Sequence, residues 1–195
     1  MRLLDQANFF RAAHDPAELP PDASAEVAFA GRSNAGKSSA INALVNRKRL
    51  AFVSKTPGRT QTINFFSLGP QCFLVDLPGY GYSTIPASEK RQWEKLISTY
   101  LQTRTSLRGL FLIMDARHPF TLLDRQLLDW SAPLGKPAHV LLTKADKLGK
   151  REAMTALRAA QAAARRYPNC VVQLFSSTTG IGVGAARQTI AQWLK

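Results

Sequence analysis

Gly31-Arg32-Ser33-Asn34-Ala35-Gly36-Lys37-Ser38 is the stretch whose reading decides the fold. It fits the pattern GxxxxGK(S/T), follows the apolar run 26–30 (EVAFA) and opens an amphipathic run, 37–46, that predicts a helix. In a strand–loop–helix context Gly31 and Gly36 let the backbone curl until successive N–H groups point at phosphate oxygens. Lys37 supplies a point charge for β- and γ-phosphates, and the Ser38 hydroxyl is a hard oxygen ligand for Mg²⁺. The helix N-terminus adds partial positive charge. Arg32, Ser33, Asn34 and Ala35 complete the candidate phosphate loop.

Outward from this loop, short apolar runs alternate with longer amphipathic ones. Strands are expected at 26–30, 63–68, 71–75, 109–114, 138–142 and 170–175, all nearly continuous in apolar character, as strands buried on both faces are. Helices are expected at 37–46, 88–105, 121–131, 149–166 and 182–194. In the helix 149–166, Met154, Leu157, Ala160, Ala164 and Tyr167 form the expected apolar face. The pattern predicts an α/β fold with helices on both faces of a mainly parallel sheet. Gly69-Pro70 leaves no room for a crossover between 63–68 and 71–75, so that pair must be an antiparallel hairpin. Six strands result, one of them antiparallel. Residues 1–23, with a weak helical pattern over 3–13 and breaks at Pro16, Pro20 and Pro21, read as a lead segment that packs on the 24–195 domain or covers a sheet edge.

Ligands of such sheets bind at the carboxyl ends of the strands, where the remaining motifs fall. Asp76-Leu77-Pro78-Gly79 ends the run 71–75, which places a carboxylate beside the phosphate loop to hold Mg²⁺ through water. Gly79 is a pivot whose N–H can bond a γ-phosphate. The loop 54–62, containing Gly58, Arg59, Thr60, Gln61 and Thr62, is a candidate switch that orders around a γ-phosphate and Mg²⁺. Thr60 is the choice for the second hydroxyl ligand, with Thr56 and Thr62 as competitors that spacing leaves open. Thr143-Lys144-Ala145-Asp146 matches (N/T)KxD after the run 138–142. The Asp146 carboxylate there accepts from N1–H and the 2-amino group of guanine; adenine offers neither donor and is rejected. The Lys144 stem covers the base, and Phe175-Ser176-Ser177 ends the last strand where backbone N–H can meet the guanine O6.

Composition narrows the partners. The 195 residues carry 26 Lys+Arg against 13 Asp+Glu, a net charge of +13 that attracts polyanions. Arg47, Lys48, Arg49, Lys55 and Arg59 lie in an acid-free stretch that enters the candidate switch, and Lys150, Arg151, Arg158, Arg165 and Arg166 lie on or beside the helix 149–166. RNA contact next to the switch, gated by nucleotide, is the reading that follows; a solvated basic face is the plainer one. No apolar run is long enough for a membrane span and no signal peptide is apparent. Cys72 and Cys170 form no metal pattern and are expected in the core of a monomer in a reducing cytoplasm. The three histidines form no local catalytic pattern, and no nucleophile–base pair is visible.

Taken together, GRSNAGKSSAINAL (31–44), TPGRTQTINFF (56–66), DLPGYGY (76–82), TKADKL (143–148) and FSS (175–177) resemble the EngB (YsxC/YihA) family of translation-factor-type GTPases. The resemblance covers about residues 24–195. It implies a Ras-like G domain, Mg²⁺ on Ser38 and Thr60, and guanine on Thr143, Lys144, Asp146 and the Ser176-Ser177 loop. It further implies a bacterial protein that assists large ribosomal subunit (50S) assembly and is linked to cell division and septation. Many G domains orient the attacking water with Gln after the DxxG glycine; here that residue is Tyr80, a phenol of reference pKa ~10 that is no base near pH 7. Slow intrinsic hydrolysis, raised by a partner, is expected from Lys37, Thr60 and Gly79, and Tyr80 itself reads as a hydrophobic residue that meets that partner. In potassium-dependent relatives an Asn at the position of Asn34 helps bind K⁺. Asn34 with loop 54–60 is therefore a candidate K⁺ site, the alternative being that it bonds the loop backbone. Competing readings are a non-hydrolysing scaffold for division proteins and a small P-loop metabolite kinase.

Overall fold

The computed structural model describes residues 2–22, 25–51, 62–81 and 87–195. Among the described residues seven strands form one sheet: β1 (Asn8–Ala13), β2 (Ala25–Gly31), β3 (Ile63–Gly69), β4 (Cys72–Asp76), β5 (Leu107–Asp115), β6 (Ala138–Thr143) and β7 (Cys170–Leu174). Their order is β1-β3-β4-β2-β5-β6-β7. The expected count of six is corrected to seven. The extra strand comes from the lead segment, whose residues 8–13 pair antiparallel with β3 instead of continuing a helix. Among the described residues of that segment α1 (Arg2–Asp5) is the one α-helix, and Pro16–Glu18 forms a short 3-10 turn. Phe9 and Phe10 explain the preference: aromatic side chains suit a pleated surface, and their rings pack on Phe66 and Phe73 from opposite sides of the strand. β3 remains the single strand running against the rest, antiparallel to both β1 and β4.

The helices are α2 (Lys37–Leu44), α3 (Ala87–Thr103), α4 (Leu122–Ser131), α5 (Lys150–Ala164) and α6 (Val183–Trp193). Strand side chains alternate between two buried layers, as a period of two requires. Val27, Phe29, Phe111, Ile113 and Leu141 face α2 and α6. Ala28, Ala30, Leu110, Leu112, Val140 and Leu142 face α3, α4 and α5. Two details depart from the sequence pattern. On α5 the fully covered residues are Ala153, Ala160 and Ala164, while Met154 is exposed. Ala160, Ala164 and Tyr167 are buried and Leu157 packs on the core as expected, so only Met154 leaves the face and Ala153 takes its place. Cys72 and Cys170 are half-buried free thiols and not full core residues; burial pushes the Cys170 thiol up to about 11. Gly109 on β5 is required by contact: a Cβ there would meet the Trp193 ring at 2.4 Å. No helix of the described residues is long and apolar enough to cross a membrane.

A buried ion pair closes the end of the sheet away from the strand tips. Glu26, fully buried at the start of β2, pairs with Arg104 and accepts from the Tyr100 hydroxyl at 2.8 Å. Arg104 also donates to the Pro20 carbonyl at 2.7 Å, which ties the lead segment down. Desolvation works against the Arg104 charge, but the Glu26 carboxylate outweighs it and raises its pKa. Removing one partner of such a pair strands a buried charge, at a cost of about 3–5 kcal/mol. Arg104→Ala is expected to lower stability by that amount in urea unfolding; an unchanged midpoint would show that the pair carries no such stabilisation.

Candidate nucleotide site

The strand tips of β2, β4, β6 and β7 bring the sequence motifs to one edge. β2 ends at Gly31, where a Cβ would lie 2.9 Å from both Cβ and the carbonyl oxygen of Ile113 on β5. Only glycine lets the chain turn there so close to its neighbour. Asn34 (φ 63°) and Gly36 (φ 93°) are left-handed, and Gly36 leads directly into α2 at Lys37. Residues 31–36 are thus curled at the N-terminus of an eight-residue helix, the geometry that directs backbone N–H groups at an anion.

The adjoining segments hold this loop in place. Ser33 donates its N–H to the Tyr80 carbonyl at 2.8 Å, and Tyr80 to the Gly31 carbonyl at 3.4 Å, so the Asp76–Tyr80 segment runs alongside Gly31–Ser33. Lys37 pairs with the Asp76 carboxylate at the tip of β4. Leu77 and Pro78 are buried and Gly79 is half-buried; the Trp93 indole on α3 donates to the Pro78 carbonyl at 3.3 Å. From β6, the Thr143 hydroxyl donates to the Ala35 carbonyl and lies 3.0 Å from the Met114 carbonyl. Lys144 (φ 57°) donates to the Asn34 carbonyl at 2.7 Å.

The end of the site supplied by β6 and β7 is built around Asp146. Ala145 is buried and donates to the Phe175 carbonyl at 3.2 Å. Phe175 and Ser176 are fully buried, and Ser177 is exposed. The Ser176 hydroxyl donates to Asp146 Oδ1 at 2.6 Å while accepting from the N–H groups of Thr178 and Thr179. That bond from Ser176 outweighs desolvation and holds the Asp146 carboxyl below its ordinary value. The arrangement leaves a fixed, charged acceptor whose second oxygen lies 3.8 Å from the Lys147 ammonium.

Gly58, Arg59, Thr60 and Gln61, together with the competitor Thr56, lie outside the described residues. Thr62 is described; its hydroxyl donates to the Asn64 side-chain oxygen at 3.2 Å just before β3. The Asn34 side chain is exposed and has no hydrogen-bond partner among the described residues, so the reading in which it bonds the loop backbone is not what the structure holds. Tyr80 is not presented to a partner. It is 4% exposed and its hydroxyl donates to Asp124 Oδ1 at 2.6 Å. Burial and the Asp124 charge push its pKa well above the ordinary value.

Sequence reasoning missed Asp115, at the tip of β5. Its carboxylate takes two bonds from Arg117 (2.9 and 2.6 Å), one from the Arg117 N–H and an ion pair at 2.9 Å from Lys144. Burial acts to raise its pKa, but these donors hold it below the usual carboxylate range. Asp115 thereby positions Lys144. A carboxylate ending an apolar run beside the phosphate-loop strand was the available signal, the same one that marks Asp76. Among the described residues no three His, Cys, Asp or Glu side chains converge as a metal cage. A hydroxyl on the first turn of α2 and a carboxylate beside it suit Mg²⁺, which keeps waters and binds through few protein oxygens plus phosphates.

The family described as 50S ribosome-binding GTPase matches residues 26–144. The chain is 54% identical to a probable GTP-binding protein EngB of Paraburkholderia phymatum, over 98% of this chain and 92% of that protein. It is 57% identical to the protein of the same description from Nitrosomonas europaea, over 98% and 86%. Among solved structures, one titled as a probable GTP-binding protein engB superposes with a TM-score of 0.68 at 21% identity, covering 87% of this chain and 98% of that one.

Ser176 is the residue whose removal isolates the Asp146 arrangement. Asp146 contributes as a carboxylate above its unfolded value near 3.8, and that contribution is lost only as the pH falls through the lower folded value. Ser176→Ala is expected to move the Asp146 midpoint upward, toward 3.8, in a carboxylate NMR titration; an unmoved midpoint would remove Ser176 as the cause.

Proposed function

Because the chain belongs to the EngB family of GTP-binding proteins, with a GTPase domain, we propose that it is a GTP-driven switch that assists assembly of the large ribosomal subunit by contacting ribosomal RNA. The observation that carries this reading is the convergence of Lys37–Asp76 and Asp146–Ser176 on either side of one curled loop, the two ends of a guanine nucleotide. In the nucleotide complex Lys37 exchanges Asp76 for the β- and γ-phosphates, and the N–H groups of Asn34, Gly36 and Lys37 turn toward them, those of Ser33 and Ala35 being already donated to the Tyr80 and Arg32 carbonyls. Asp76 and Ser38, with Thr60 from the switch, would hold Mg²⁺ there. When bound, Mg²⁺ neutralises charge that develops on the phosphate oxygens. Asp146 accepts from N1–H and the 2-amino group of guanine, Lys144 covers the base face, and Ser176-Ser177 lies at O6.

Two features bear on rate. Tyr80 is neutral near pH 7 and bonded to Asp124, so it takes no proton from water. With Gly79 offering only an N–H, intrinsic hydrolysis is slow and a partner accelerates it. The Asn34 amide, exposed at the loop, supports a K⁺ site with residues 54–60. Single-turnover GTP hydrolysis is expected to run faster in K⁺ than in Na⁺, and to lose that difference in Asn34→Ala; equal rates in the two salts exclude the site.

The RNA contact rests on charge. Arg47, Lys48 and Arg49 are all exposed and lead into the switch loop, and the family description names 50S binding. Ordering that loop by GTP links RNA affinity to the nucleotide. The work is cytoplasmic, with the chain acting as a monomer on the large subunit or its precursor. Its bearing on cell division and septation, whether through division proteins or through ribosome supply, follows from the same resemblance. Co-sedimentation with 50S particles over a salt series is the test. More protein should pellet with a GTP analogue than with GDP, and binding should fall steeply with salt. Pelleting that ignores the nucleotide would remove the switch.

A further inference from the structure

Outside the nucleotide site, a groove of about 500 Å³ lies between the loop after β5 and the first turns of α5. Ala116, Pro119, Leu148, Ala156 and Ala159 contribute its apolar lining, and Arg117 and Arg151 stand in it as cations. Both arginines are exposed. Arg117 is oriented by Asp115, whereas Arg151 has no ion-pair partner among the described residues. Glu152 also lines the groove, but its carboxylate is turned to the Gly149 N–H at 3.0 Å, capping α5. Lys147 and Lys150 are exposed close by in the chain.

We propose that this groove binds an unpaired nucleotide of RNA, with a base or ribose against the alanine-rich floor and the flanking phosphates on Arg117 and Arg151. The inference deepens the RNA-contact reading above and rests on it. Its volume is on the scale of a single nucleotide. A floor of alanine and proline suits a base face; Arg151 can meet a phosphate with its forked edge, while Arg117, whose Nε and Nη2 already bond Asp115, offers its remaining Nη1 or its plane for stacking. The chain's excess of positive charge brings the polyanion to the surface. Arg117 follows the tip of β5 and shares Asp115 with Lys144. RNA seated here therefore adjoins the base-reading end of the nucleotide site.

Fluorescence anisotropy with labelled oligouridine and with an RNA duplex tests the proposal on the full chain, using Arg151→Gln, Ala159→Glu and the combined Arg47→Gln, Lys48→Gln, Arg49→Gln variant. Binding of a fluorescent GDP analogue monitors the fold. Oligouridine affinity is expected to fall severalfold in Arg151→Gln and about tenfold in Ala159→Glu, with GDP-analogue binding unchanged. The slope of log affinity against log salt should flatten by about 0.7 in Arg151→Gln, the value for one phosphate on a single strand. If the wild-type chain binds neither RNA at low salt, the RNA-contact reading fails and the groove with it. If it binds, and only the 47–49 variant weakens, the groove alone is overturned. Duplex preferred over oligouridine likewise overturns an unpaired occupant.

Discussion

A single hydroxyl holds the working edge of this protein together. Thr143, at the tip of β6, donates to the carbonyl of Ala35 in the phosphate loop and lies beside the Met114 carbonyl of β5. A loop with left-handed residues at 34 and 36 has its N–H groups turned toward a ligand, so its carbonyls point the other way and need partners. Thr143 satisfies one and Lys144 another. The conformation that can bind phosphate is therefore maintained by the same tetrapeptide that presents Asp146. One end of the site cannot be displaced without disturbing the other.

The sheet makes this possible by ending several parallel strands at one level, and its opposite end is secured by different means. There the buried Glu26 carboxylate is satisfied by Arg104 and Tyr100, and Arg104 also gathers the Pro20 and Pro21 carbonyls. Asp22 completes that corner. Burial opposes its charge, but the hydroxyls of Thr105 and Ser106 with Arg104 bring its pKa down to about 2. Polar networks of this kind stabilise mainly by being complete. The lead segment supplies several of their acceptors, so it belongs to the fold's architecture as well as to its edge.

Much of the site was legible beforehand because its chemistry is local. A phosphate loop needs glycines, a lysine and a hydroxyl within eight residues, and those are adjacent in the chain. Strands buried on both faces announce themselves as continuous apolar runs. What stayed hidden depends on residues far apart. The role of Asp115 requires Arg117 and Lys144 together, and Lys144 arrives from the next strand. The sequence reads Tyr80 as a hydrophobic residue that meets a partner, because nothing near it in the chain reveals Asp124, which reaches it from α4. Strand β1 escaped for a related reason: six residues carry too short a period, and only Phe66 and Phe73 on the neighbouring strands give Phe9 and Phe10 their seats.

The amino-acid sequence by itself determined the layered α/β class, the phosphate loop, the guanine-type tetrapeptide and the basic surplus, since each is written in contiguous residues or in bulk composition. Tertiary structure alone decided the seventh strand, the burial of Tyr80, the ion-pair sharing at Asp115 and the groove flanked by Arg117 and Arg151. Each of these is a meeting of segments, and the free energy of a meeting depends on distance and burial, which no linear pattern carries.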